Sequence, residues 1–248
     1  MKSLKKFLSR FTGSRKKSLL GTLSYKESKN IGELIADLRA EGLTYVGPRK
    51  LESLAWAAVK VKERAVVGDF VEAGVALGGS AILLGKLKPE TARLRLYDVF
   101  EQIPAPGPKD GADAHDRYAI ISSGKSSGLG GGTYYGYIDN LEDVVRANLA
   151  SYGITSALSR VEFRKGLFEE TLHIDEPVAL AHIDCDWYNS VKVCIARIFP
   201  RLSPGGMMVF DDYKSYSGCR RAVDEWLATE KSARIINKAK SVTVTKLF

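Results

Sequence analysis

At 248 residues the chain has room for one large domain or two small ones, and 45% hydrophobic residues can fill a sizeable core. Its formal net charge is +8, yet seven of the 37 basic residues (Lys2, Lys5, Lys6, Arg10, Arg15, Lys16 and Lys17) precede residue 18, leaving 30 against 29 acidic ones. That placement excludes a basic, nucleic-acid-binding body and makes the high isoelectric point the property of a tail.

Residues 1–24 form this basic segment, and Leu4, Phe7, Leu8 and Phe11 share one side of it at helical spacing. It reads either as a short amphipathic helix touching an anionic membrane face or a partner, or as a solvated tail. Ser28 is placed to cap a helix bearing Ile31, Leu34, Ile35 and Leu38, which Gly42 stops. Thr44-Tyr45-Val46-Gly47-Pro48 reads as a turn. A further helix follows from about Arg49 to Arg64, with Leu51, Leu54, Ala58 and Val61 inward.

Asp69–Ala73 (DFVEA) reads as the first strand and Gly74–Ser80 as its turn. A helix begins near Ser80 and carries Ile82, Leu83, Leu84 and Leu87. The glycines permit a tight turn and close approach of a ligand, although many strand-to-helix turns share them. The second strand, Leu94–Tyr97, ends in Asp98. An acid about 20 positions past a glycine turn suits two ribose hydroxyls. Phe100–Tyr137 shows no periodicity and holds Pro104, Pro106, Pro108 and the run SSGKSSGLGGGTYYG. So long an irregular stretch inside a compact domain reads as a lid, over about 101–137, or as disorder. His115 lies within it, either as a base or as a surface residue.

Asn140 starts a helix with Leu141, Val144, Val145 and Leu149, and a strand lies near Arg160–Arg164. Ala179–Tyr213 then organises the rest: ALAHIDCDWYNSVKVCIARIFPRLSPGGMMVFDDY. An apolar run ends in Asp184 and Asp186, and a helical segment carries Val191, Cys194, Ile195, Ile198, Phe199 and Leu202 on one side. Pro204, Gly205 and Gly206 break it, and a second apolar run, Met207–Phe210, ends in Asp211 and Asp212. Strand, helix, strand makes the two strands parallel and brings both acidic pairs to the carboxyl edge, where open α/β sheets bind ligands. Converging carboxylates repel one another unless a cation sits between them, and a hard divalent ion is the simplest one. His182 reads as a core or supporting residue, and Cys185 points to the opposite face from Asp184.

Cys219–Ala228 reads as a helix with Ala222, Val223 and Trp226 inward, and Ile235–Ile236 with Val242–Leu247 as a closing strand pair. The expected fold is a single doubly wound, Rossmann-like α/β domain over 25–248. Its sheet is mostly parallel with an antiparallel final strand, and extra helices precede it. Three cysteines, an odd and sparse set, fit a reducing compartment. With no apolar run near 18 residues and no signal-peptide pattern, the expected location is cytoplasmic, with peripheral membrane contact confined to the N-terminus.

These motifs together resemble the metal-dependent sugar O-methyltransferases typified by macrocin O-methyltransferase, a branch of the S-adenosylmethionine-dependent class I methyltransferases. The matching segments are Thr44-Tyr45-Val46-Gly47 with Arg49 and Leu51, GDFVEAGVALGGS, YDVFEQIP, GLFEETL, HIDCDWYNS, LSPGGMMVFDDY and CRRAVDEW, spanning roughly residues 42–230. The resemblance implies S-adenosylmethionine and Mg2+ as cofactors. It implies that Glu72 and Gly74 lie at the S-adenosylmethionine site with Gly78, Gly79 and Ser80 as its turn. Asp98 would hold the ribose, and Thr44 and Tyr45 would close over the methionine end. Asp184, Asp211 and Asp212 match the metal ligands and Asp186 a general base, with His115 as the alternative base. It also implies a sugar or glycoside acceptor, no nucleic-acid partner and assembly into homo-oligomers. The chemistry agrees: a sugar hydroxyl is a poor nucleophile at neutral pH, and a cation plus a nearby carboxylate activates and positions it.

Two other readings remain open on sequence grounds. Gly74-x-Ala76-x-x-Gly79 with Asp98 is a passable dinucleotide fingerprint, which suits an NAD(P)-dependent oxidoreductase, although no Tyr-x-x-x-Lys base pattern accompanies it. A non-catalytic binding scaffold on the same fold is the second. With only three histidines and no facial histidine pair, an iron oxygenase is disfavoured.

Overall fold

The computed structural model describes residues 19–248, so the stretch bearing Leu4, Phe7, Leu8 and Phe11 lies outside the described residues. A single helical turn at Leu19–Thr22 comes first. It seats Leu20 in the core, and the Trp56 indole donates to the Thr22 hydroxyl at 3.1 Å. Helix α1 spans Tyr25–Ala40 and is capped by Ser24 rather than Ser28. Ser24 and Glu27 form a reciprocal capping box, satisfying two orphan donors where Ser28 would have satisfied one. Helix α2, Pro48–Glu63, opens with proline at its first position, where a missing N–H costs nothing.

Strands β1 (Asp69–Ala73), β2 (Leu94–Asp98), β3 (Val161–Lys165), β4 (Val178–Ile183) and β5 (Leu202–Phe210) pair in parallel. The tail adds β6 (Ala233–Asn237) and β7 (Val242–Lys246), with β7 antiparallel to both β5 and β6. The order is β3-β2-β1-β4-β5-β7-β6, the doubly wound sheet that the sequence predicts. The strand order reverses between β1 and β4, and the crevice beyond their carboxyl ends is the ligand position of such sheets.

Alternation sorts the two faces. Phe70, Leu94, Leu96, Leu180, Met207 and Val209 pack under α1, α2, α3 (Gly79–Leu87) and α5 (Leu141–Ser151). Val71, Tyr97, Ala181, Ile183, Met208 and Phe210 pack under α6 (Tyr188–Ile198) and α7 (Ser217–Thr229). Both faces being covered, the central strands read as continuous apolar runs. Helix α6 stops at Ile198, and Leu202 is the first residue of β5 rather than the last of the helix. Pro200 lacks the N–H that another helical turn would require.

The segment expected to be irregular holds helix α4, Ala112–Ser122, which buries Ala114 and Ile121. It is anchored on three sides. The Trp187 indole donates to Pro104 O at 2.8 Å, Asp110 accepts the Tyr188 N–H at 2.7 Å, and Asp113 accepts both the N–H and hydroxyl of Ser217, each at 2.6 Å.

Candidate active site

Two adjoining cavities lie beyond the carboxyl ends of β1, β2, β4 and β5. The first, about 270 Å³, is apolar on most sides, with Val99, Ile103, Pro104, Leu167, Phe168 and Trp187 in its wall. The second, about 300 Å³, is lined by Asp184, Asp186, Asp211 and Asp212, by Lys50 and Arg117, and by Tyr45, Tyr134, Tyr135 and Tyr216. Gly74, Asp98, Tyr135, Asp184 and Asp186 border both, so one opens onto the other.

The acidic pairs converge because β4 and β5 are parallel neighbours, with Ile183 beside Phe210. Asp184, Asp211 and Asp212 each bring one oxygen within 4.8 Å of the others. Asp186 stands beside them in left-handed backbone, φ 56°, where the Trp187 N–H folds back to Cys185 O at 2.6 Å. A non-glycine residue held there stores strain of about 1–3 kcal/mol, a mark of functional sites. Burial and then the neighbouring carboxylates push the Asp184 and Asp186 carboxyls well above the ordinary range. Burial acts the same way on Asp211, but His182 and Lys50 outweigh it and hold that carboxyl below the ordinary range. Asp211 Oδ1 and Asp212 Oδ2 are buried without a hydrogen-bond partner. Hard oxygen donors, unpartnered and mutually repelling, are what a divalent cation would satisfy, so the set fits one.

Beneath the cluster, Glu72 and His182 are register neighbours on β1 and β4, and Nδ1 lies 2.8 Å from Glu72 Oε1. Burial alone would depress the imidazole. Asp211 and Glu72 outweigh it and raise its pKa to about 9, so it is a cation at neutral pH. Nε2 has no partner at hydrogen-bond geometry, yet Asp211 is close enough to act on its charge. His182 is therefore the core support expected of it. Cys185 is packed on the far side, with Sγ 4.0 Å from that of Cys194.

Among the residues expected at a nucleoside, Gly74 and Asp98 border both cavities and Tyr45 the second. Asp98 Oδ2 accepts the Val75 and Ala76 N–H groups at 2.6 and 3.2 Å, and Oδ1 accepts Phe100 N–H at 2.8 Å. The carboxylate thus shapes the glycine turn itself. Burial raises its pKa although these three donors oppose the rise. Glu72 is fully buried behind the wall, with Oε2 unpartnered. Thr44, Gly78, Gly79 and Ser80 border neither cavity. A side chain at Gly78 would meet Leu149 and Val145, and one at Gly79 would meet Leu43 and Thr44. All three glycines make room for protein, since a side chain at Gly74 would meet the Asp184 backbone, and of the three Gly74 alone borders the cavities. His115 is exposed on α4 and borders neither cavity, while Arg117 and Ile121 of that helix border the second.

Sequence reasoning missed Lys50, whose ammonium lies 2.6 Å from Asp211 Oδ2 and 3.5 Å from Asp212 Oδ1. It also missed Arg117 and Tyr216. None of these carries a local signal. Trp187 carried one, since it directly follows the second acid of the Asp184–Asp186 pair.

The family described as macrocin-O-methyltransferase (TylF) matches residues 2–245. The chain belongs to that family. It is 32% identical over 191 residues to the 8-demethyl-8-(2,3-dimethoxy-alpha-L-rhamnosyl)-tetracenomycin-C 4'-O-methyltransferase of Streptomyces olivaceus, covering 74% of this chain and 67% of that one. It is 31% identical over 209 residues to the demethyldecarbamoylnovobiocin O-methyltransferase of Streptomyces niveus, covering 82% and 73%. The solved O-methyltransferase NovP superposes with a TM-score of 0.67 at 25% identity, over 94% of this chain and 96% of that one. An O-methyltransferase from Bacillus cereus, solved with SAH, shares the fold at TM-score 0.53 and 16% identity, over 98% and 97%. The macrocin-type chain is accordingly an S-adenosylmethionine-dependent O-methyltransferase, and the nicotinamide and scaffold readings fall away. The cavity bordered by Asp98, Phe168 and Trp187 lies at the strand ends where a nucleoside would enter.

Proposed function

We propose that this enzyme methylates a hydroxyl of a sugar or glycoside with the help of a divalent cation, Mg2+ by the hardness of its ligands. Asp184, Asp211 and Asp212 would hold the ion. When bound, magnesium supplies charge that lowers the pKa of the acceptor hydroxyl and orients its oxygen. Asp186 lines the same cavity and takes the acceptor proton, its carboxyl pushed upward by burial and then by Asp212. Phe168 and Trp187 would flank the nucleoside, and Gly74 borders the same cavity at the β1 turn. Tyr45, Tyr134 and Tyr135 line the second cavity, with Tyr134 and Tyr135 centroids 4.4 Å apart. Such rings pack against the C–H faces of a sugar and exclude water from the transfer.

The observation that carries this reading is the three-carboxylate cluster with two orphaned buried oxygens, set where an apolar cavity opens beside it. The rhamnosyl group and 4' position in the name of the Streptomyces olivaceus relative support a sugar hydroxyl. Turnover of glycosides bearing vicinal diols should vanish in EDTA and return with Mg2+. Asp211→Asn and Asp212→Asn should each lower it by about three orders of magnitude, the scale of a lost metal contribution. S-adenosylhomocysteine affinity in those variants should stay within a few-fold of wild type. Full turnover in EDTA would refute the role of the cation.

A further inference from the structure

We propose that Lys50 is the internal counter-cation of the carboxylate cluster: its ammonium holds Asp211 and Asp212 together in the metal-free enzyme and yields that position when a divalent ion enters. The inference rests on the metal reading above. Lys50 stands in the first turn of α2, between Pro48 and Leu51, where the helix carries no acidic residue. A cation at a helix N-terminus works against the macrodipole, so its placement needs another cause. Its neighbour Arg49 finds that cause locally, pairing with Glu52 at 3.3 Å. Lys50 finds it 161 positions away, at 2.6 Å from Asp211 Oδ2, with Asp212 Oδ1 at 3.5 Å.

One ammonium engages one oxygen on each of these two acids and leaves Asp211 Oδ1 and Asp212 Oδ2 orphaned. It therefore offsets the repulsion of the cluster without saturating it. A dication would take the orphaned oxygens of the same two carboxylates, a few ångströms from the ammonium. Two cations bridged by one carboxylate in a buried site repel each other strongly, so the lysine and the metal compete through charge. The lysine stem is four flexible carbons, and Ser215 Oγ already lies 3.3 Å from Nζ on the more exposed side, giving the ammonium a second partner to retire toward. Lys50 is thus a positioning residue: it keeps the carboxylates at working distance while no metal is bound, and its competition sets the metal affinity.

The test uses full-length enzyme stripped with EDTA and dialysed. Mn2+ is titrated calorimetrically into wild type, Lys50→Met and Lys50→Arg, and thermal unfolding is recorded with and without saturating Mn2+. Lys50→Met should bind Mn2+ at least tenfold more tightly than wild type. Its melting temperature should fall in the metal-free state and return to the wild-type value with Mn2+. Lys50→Arg, which keeps the charge, should retain the metal-free melting temperature. Unchanged or weaker Mn2+ binding by Lys50→Met would overturn the proposal, as would a melting deficit that persists at saturation. Absence of Mn2+ binding in wild type and Lys50→Met alike would instead remove the metal reading on which it rests.

Discussion

Gly74→Ala probes whether the β1 turn and the carboxylate cluster are one mechanical unit. Gly74 has φ 90°, and an added Cβ would stand 1.9 Å from the carbonyl oxygen of Asp184 and 2.7 Å from its carbonyl carbon. An ordinary C···O approach is about 3.3 Å, so the β4 end must retreat by about 1.4 Å. The Asp184 N–H, which donates to Ala73 O at 2.9 Å, cannot follow that movement. Losing this bond and straining its neighbours costs about 1–2 kcal/mol, and alanine at positive φ adds about 1 kcal/mol. The expected loss of stability is about 2–3 kcal/mol, measurable by urea unfolding of the EDTA-treated enzyme. The functional loss should exceed the stability loss, because metal ligands must be held to about 0.2 Å and Asp184 is the residue displaced. Mn2+ binding should therefore disappear well below the denaturation midpoint, and S-adenosylhomocysteine binding should weaken with it. Gly153→Ala is the control: it also has positive φ, 72°, but nothing lies within 4 Å of the added carbon. It should cost about 1 kcal/mol and leave both ligands bound. Wild-type stability and Mn2+ affinity in Gly74→Ala would refute the coupling.

The two candidate bases separate cleanly. Asp186→Asn should lower turnover by about 10²–10⁴-fold with S-adenosylhomocysteine affinity retained. His115→Ala should leave turnover unchanged, since that ring is exposed on the outer side of α4; the opposite ranking in an initial-rate assay would reassign the base. Asp113→Ala removes the carboxylate that receives both Ser217 donors and ties α4 to the start of α7. It should cost about 1 kcal/mol, as helix-cap losses do, and raise the acceptor KM more than it lowers kcat; equal effects on both would argue against a covering role for α4.

The electrostatics of the site follow a single logic. Buried carboxylates repel one another and resist ionisation, and two protein cations on either side limit the cost. His182 lies beneath Asp211, and Lys50 enters from the helix above. The Lys50 charge acts on all four acids but touches only Asp211 and Asp212. The middle of the cluster is left with the unpartnered oxygens that a dication can claim.

Most of the sheet was legible from the sequence by itself, since strand and helix periods are local properties of a few residues. The runs ending in Asp98, Asp184 and Asp211 sit at the carboxyl ends of parallel strands as the crossover rule requires, and the carboxylate cluster follows from that rule with no coordinates in hand. Ser24 was also readable, because Ser24-x-x-Glu27 is a capping box, and Ser28 was the weaker choice of two local signals. Helix α4 was not readable. Only Ala114 and Ile121 are buried on it, too few to mark a helical period between flanking prolines and glycines. Tertiary structure decided that the missing side chains of Gly78 and Gly79 leave space for Val145, Leu149, Leu43 and Thr44. It decided that Glu72 meets His182, that His115 turns outward, and that Lys50 reaches Asp211 across 161 positions. Such contacts depend on how packed layers bring distant segments together, and no spacing within one segment encodes them.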